Sequence, residues 1–276
     1  MTLSERNTFF KIGIAFCAVS TLLLLAASFL VVPVYQTMEE NTRRPSDLIH
    51  ILISRFLDVN YIAVHSSVVM AVLFSITGII LIYSFFEQTP APEILYVVIF
   101  TLSFSFETIR ILLPLHFIFD IPSFYMLIAL RVLLFARYFS ILSLFAASVC
   151  AAGLEVQKTV YIIIIIFIAT LVIVFSAPID TQNWDTSLNM INGNTYMFRL
   201  IEAATFLTTV ISFFVAANIR GSKDYKYIGI GIMLALIGRF LLLSADNWIT
   251  PVPGILLLSI GIWFVCSRLH KIHLWL

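Results

Sequence analysis

Charged residues are scarce in this chain of 276 residues: Asp, Glu, Lys and Arg make up 11% of it, against roughly 25% in soluble domains. A water-facing surface cannot be built from so few, and 61% of the chain is hydrophobic with a mean hydropathy of +1.05. An excess of either sign is also missing, because the net charge is +1. That removes the concentrated basic face needed for nucleic acid. Cys17, Cys150 and Cys266 are the only cysteines, and they are far apart with no CxxC and no Cys/His spacing. They read as free thiols in helix packing, which excludes a disulfide framework.

Several chemistries are missing as well. His50, His65, His116, His270 and His273 form no HExxH and no ligand spacing with Asp or Cys, so no metal site is expected. There is no GxSxG, no Walker loop and no dinucleotide fingerprint, so neither a nucleophile elbow nor a nucleotide cofactor is implied. Apart from Lys11 at the very start of the first, no lysine falls inside an apolar run, which removes a retinal-type Schiff base. No cofactor is expected, and a role other than catalysis is favoured.

What the chain does contain is long apolar runs. Eight are long enough to cross a bilayer, at about 9–32, 61–86, 94–115, 122–152, 159–177, 197–219, 227–244 and 254–268. The fold class is therefore all-α, a polytopic integral membrane helix bundle forming a single transmembrane domain over 1–276. Arg6 and Lys11 precede the first run as in a signal peptide. That run exceeds the 7–15 apolar residues of such a peptide, so it reads as a retained span. Gln36 to Asp58 is mixed in polarity and suits a helix on the interface or the wet first turns of the second span. Past the eighth span no tail is long enough for an output module, so any signal is expected to pass to a separate cytoplasmic protein partner.

Orientation follows from the basic residues between spans. One side holds Arg6, Lys11, Lys158, Arg220, Lys223, Lys226, Arg268 and Lys271, and the other only Arg43, Arg44 and Arg55. Eight spans with both termini in the cytoplasm satisfy this bias, in a cell membrane of the bacterial inner-membrane type or its equivalent.

The five remaining arginines lie inside the apolar runs. A charge at the bilayer centre costs on the order of 3 kcal/mol on insertion scales, so such residues normally face a bundle interior, a polar cavity or one another. Glu107 and Arg110 stand one helical turn apart in the third span, Arg131 and Arg137 in the fourth, Arg199 and Glu202 in the sixth, and Arg239 in the seventh. With the N-terminus inside, all but Arg137 fall at a common depth in the outer leaflet, with Arg137 nearer the midplane. Guanidinium forks suit carboxylate, phosphate or sulfate. These seven residues are therefore the candidate ligand-binding site, an anion-accepting cavity open to the outside. The competing reading makes the same charges pairwise ties between helices.

The polar loop from Asp180 to Tyr196 carries Trp184, Asp185, Asn189 and Asn192 and is placed to lid such a cavity. Ser103, Ser105, Thr108, Ser140 and Ser143 are expected to bond back to helix carbonyls, and His65 to be a satisfied polar group. Glu107…Arg110 and Arg199…Glu202 repeat in opposite order, hinting at a duplication of 94–177 as 197–268, an arrangement found in transporters. The leading function is a carrier or carrier-like subunit for a small anionic ligand. A receptor or scaffold and an enzyme acting on lipid head groups are the alternatives.

Overall fold

The computed structural model describes residues 3–42, 59–89, 91–153, 159–185, 187–192 and 194–274. Helix α1 spans Leu3–Thr42 and α2 spans Tyr61–Phe86. The third crossing is built of α3 (Pro92–Ser103), a 3₁₀ segment (Phe104–Ile111) and α4 (Leu112–Phe119). Then come α5 (Ser123–Ala151), α6 (Thr159–Ser176), strands β1 (Ile179–Trp184) and β2 (Met190–Asn192), α7 (Thr195–Ile219), α8 (Lys223–Leu243) and α9 (Pro251–Leu274). The architecture is an all-α bundle in which, among the described residues, eight helical segments are long and apolar enough to cross a membrane. The two short strands form an antiparallel hairpin within the α6–α7 connection. Of the mixed segment 36–58, residues 36–42 continue α1 as helix, and 43–58 lie outside the described residues.

The third crossing is the axis of the bundle. Its most apolar window is 78% buried, against 22% for α1, α6 and α7, because it packs against α1, α2 and α5 at once. The peripheral helices turn large apolar side chains outward: Phe29 is 83% exposed, Phe175 67% and Trp263 68%. Such surfaces suit acyl chains, and the chain is a multi-pass membrane protein by this composition.

Local chemistry accounts for the break in the central helix. Pro114 has no N–H to offer the Arg110 carbonyl, and its ring crowds that carbonyl in a regular α-helix. The turns before it wind tighter, and the 3₁₀ segment carries both Glu107 and Arg110. A mid-helix 3₁₀ stretch commonly marks a hinge or a strained sequence. The expected partner of this crossing under the duplication, α7, runs as continuous α-helix from Thr195 to Ile219.

Helices α8 and α9 make the closest helix pair. A Cβ on Gly261 would lie 2.5 Å from the Ala235 backbone nitrogen, and one on Gly238 would collide with the backbone at Leu258. Both are glycines because the two backbones touch there. Gly238 precedes Arg239, so this contact also sets the height of that arginine. Gly238→Val is expected to lower the thermal midpoint of the detergent-solubilised protein sharply. Gly13→Ala, whose Cβ meets only side-chain atoms at 3.7 and 3.9 Å, is expected to leave it within a degree or two.

Candidate functional site

The charged cluster is centred on Glu107. Its carboxylate receives two parallel bonds from Arg137 of α5, Nε to Oε1 at 2.7 Å and Nη2 to Oε2 at 2.6 Å. This fork-on-fork geometry is the strongest form of a carboxylate–guanidinium pair. It lies in the interior, with Glu107 fully buried and the Arg137 side chain 15% exposed. Arg110, three residues along the 3₁₀ turn, holds Nη1 3.7 Å from Glu107 Oε2. That distance makes an ion pair but not a hydrogen bond. Arg239 enters from α8, and its Nη2 donates to the Arg137 backbone carbonyl at 3.2 Å. Glu202 of α7 is half-buried and acts electrostatically on Arg137, Arg239 and Tyr138.

The β1–β2 hairpin covers this cluster. Its tip is closed by Leu188 N–H to the Asp185 carbonyl at 3.0 Å and Asp185 N–H to the Asn189 carbonyl at 2.8 Å. Asn189 Oδ1 accepts from Arg137 Nη2 at 2.8 Å, and its Nδ2 donates to Ser187 Oγ at 2.8 Å and the Leu243 carbonyl at 3.3 Å. The Ser187 carbonyl accepts from Arg110 Nη2. Leu188, between these two contacts, has φ 55°, a left-handed backbone that costs a residue with a Cβ roughly 1–2 kcal/mol. Its side chain packs against two apolar clusters, one that includes Tyr35 and Ile111 and one of Leu113, Met126 and Leu130.

Of the seven residues expected at the site, the structure brings Glu107, Arg110, Arg137 and Arg239 together, with Glu202 alongside. Arg131 lies apart: its Nη1 donates to the Val174 carbonyl at 2.7 Å, and the guanidinium sits 5.3 Å from the Phe175 ring centroid. It adds a shorter bond to a last-turn carbonyl of α6 that the Ala177 N–H reaches at 3.4 Å. Arg199 is exposed near the start of α7. The openness expected for the cluster differs too. A polar cavity of about 390 Å³ lies at the opposite end, lined by Glu87, Gln88, His270 and His273 among others. An apolar groove of about 410 Å³ runs beside Ile99, Phe106, Phe135 and Phe139. No residue of the cluster lines either one, because the hairpin tip fills the space above it.

The sequence-based reading did not include Tyr35. It is 2% exposed, stacks on Tyr61 at 5.8 Å between centroids and interacts electrostatically with Arg110. Its hydroxyl has no hydrogen-bond partner among the described residues, and burial pushes it well above its ordinary pKa, so it stays a neutral donor. His65, expected to be satisfied, is so at one nitrogen only. Its Nε2 lies 3.0 Å from Ser28 Oγ, whose own hydrogen goes to the Leu24 carbonyl at 2.7 Å. Nε2 is therefore the donor in the neutral ring, and Nδ1 is left without a partner. Arg110 Nε and Nη1 also make no hydrogen bond. Buried polar atoms of this kind are few in folded proteins, and each calls for an explanation. By contrast, Ser103, Ser105, Thr108, Ser140 and Ser143 each donate to the carbonyl three residues back, as expected.

Breaking the Glu107–Arg137 pair on one side leaves a buried charge facing nothing, at a cost of about 3–5 kcal/mol. Glu107→Gln and Arg137→Leu are each expected to reduce thermal stability strongly. The double variant is expected to be less destabilised than the sum of the two, with a coupling of about 1–3 kcal/mol in a double-mutant cycle. No protein-family model, curated protein or solved structure matches this chain.

Proposed function

We propose that the chain is a carrier or carrier-like membrane subunit that takes a small anion at the guanidinium cluster beneath the hairpin, with the hairpin as its lid. One observation carries this reading. Two nitrogens of the buried Arg110 lack hydrogen-bond partners, while its third and Arg137 are quenched by oxygens of a loop, the Ser187 carbonyl and the Asn189 amide. Loop oxygens can withdraw and be replaced by those of an anion, whereas a helix-borne carboxylate such as Glu107 stays. In this scheme Glu107 holds Arg137 in orientation, Arg110 and Arg239 contact the anion, and Glu202 balances the remaining charge. Arg131 and Arg199 serve the fold and the membrane boundary.

The 3₁₀ segment favours a second reading, a receptor that passes a helix shift to a cytoplasmic partner. A tighter turn carrying two ligand-facing charges can relax toward α-helix when those charges change partners. A phosphate-bearing lipid head group would meet the same chemistry from the bilayer side.

Uptake of labelled small anions into proteoliposomes tests the leading reading. The expected result is saturable uptake that Arg110→Leu reduces at least tenfold and Arg131→Leu leaves nearly unchanged per folded molecule. Arg131→Leu is instead expected to cost about 1.5–3 kcal/mol of stability through loss of the charged donor's bond to the Val174 carbonyl, which keeps a longer one from the Ala177 N–H. Binding without uptake would favour the receptor, and absence of both would overturn the anion site.

A further inference from the structure

The lid does more than cover the cluster. Ser187 presents one carbonyl oxygen to the Arg110 guanidinium, and the next residue, Leu188, lays a branched alkyl side chain against two apolar clusters, one holding Tyr35 and Ile111 and the other Leu113 and Met126. A polar oxygen joined to a short aliphatic body is the outline of a small carboxylic acid. We propose that Ser187–Leu188 is an internal stand-in for the ligand, and that the ligand is a short aliphatic monocarboxylate of about four to six carbons. The inference rests on the anion-binding role of this cluster and names the class of anion.

Three features of the site select that class. A carbonyl offers one oxygen with partial charge, and it leaves Arg110 Nε and Nη1 and the Tyr35 hydroxyl without partners. A carboxylate brings two charged oxygens, enough to engage the guanidinium at two nitrogens and to accept from the phenol as well. The charge count favours a monoanion: Arg110, Arg137 and Arg239 face Glu107, Glu202 and, from the hairpin, Asp185, so withdrawal of the hairpin leaves a single positive charge. Finally, the wall that Leu188 occupies is aliphatic and aromatic, so hydrated phosphate or sulfate would be poorly solvated there.

The stand-in is built to be displaced. Its backbone takes a left-handed φ between Ser187 and Asn189, whose contacts with Arg110 and Arg137 a ligand would take over. Releasing it relieves that conformation. Binding and lid opening are then one exchange reaction, in which a stronger oxygen donor and a free alkyl chain replace a weaker donor and a tethered one.

The test uses the full chain in nanodiscs of zwitterionic lipid, so that no anionic lipid competes with the carboxylate that is added. Acetate, butyrate and hexanoate are titrated against it by calorimetry, with the corresponding alcohols, phosphate and sulfate alongside. The expected result is saturable binding that tightens by about fourfold per methylene from acetate to hexanoate, with no saturable binding of the alcohols. Tyr35→Phe is expected to weaken butyrate binding about tenfold. Leu188→Ala removes the tethered competitor and is expected to tighten it about tenfold. If phosphate or sulfate binds in an Arg110-dependent way and the alkanoates do not, the stand-in is overturned while the anion site stands. If no anion binds, both fall. The wild-type chain-length series decides the matter even where a variant fails to fold, and a flat series overturns the proposal.

Discussion

A carboxylate and a guanidinium locked by two short bonds in the interior of a membrane bundle are the constraint around which the central helices are arranged. Glu107 on the third crossing and Arg137 on α5 are 30 positions apart in the chain, and neither would be tolerable alone in a hydrocarbon environment. Their pairing fixes the relative height and rotation of two helices. Everything else at that end of the bundle follows from the geometry: Arg239 reaches the Arg137 carbonyl, and Asn189 closes the outer edge of the Arg137 fork. Helix packing by apolar contact alone has little directional preference, so one such pair specifies a register that oily side chains leave open.

The pair also leaves Arg110 in an unusual position. Glu107 spends both oxygens on Arg137, so the nearer arginine in sequence is only an electrostatic neighbour at 3.7 Å. Its hydrogen-bonding capacity turns toward Tyr35 and the hairpin, where the loop satisfies one nitrogen and leaves two. A proline-induced 3₁₀ turn, a filled carboxylate and a lid with a left-handed leucine therefore belong to one construction. It concentrates unsatisfied donor capacity under a loop that meets the arginines through Ser187 and Asn189.

Much of the architecture was legible before any coordinates. Eight crossings could be counted because hydropathy and length add along the chain, and the confinement of arginines to particular spans was visible for the same reason. The i, i+3 spacing made Arg110 the natural partner of Glu107, yet Arg137 takes the carboxylate because it approaches from a separate helix with a better fork geometry. Arg131 looked equivalent to Arg137, six residues away. That spacing turns the two toward different sides of α5, so one meets the cluster and the other meets the end of α6. The loop after α6 read as polar and was placed near the cluster, but nothing in it announced a hairpin with a carbonyl aimed at a guanidinium. Tyr35, at the end of a long apolar run, carried no signal that distinguished it from an interfacial aromatic.

By itself the amino-acid sequence determined the number of apolar runs long enough to cross and the identity of the charges that had to be hidden. Those are sums over neighbouring residues and survive without knowledge of the fold. Which charges meet, which remain unmatched and which loop covers them were decided only by tertiary structure. Those outcomes depend on the rotation and height of each helix, and a hydropathy pattern does not encode either one.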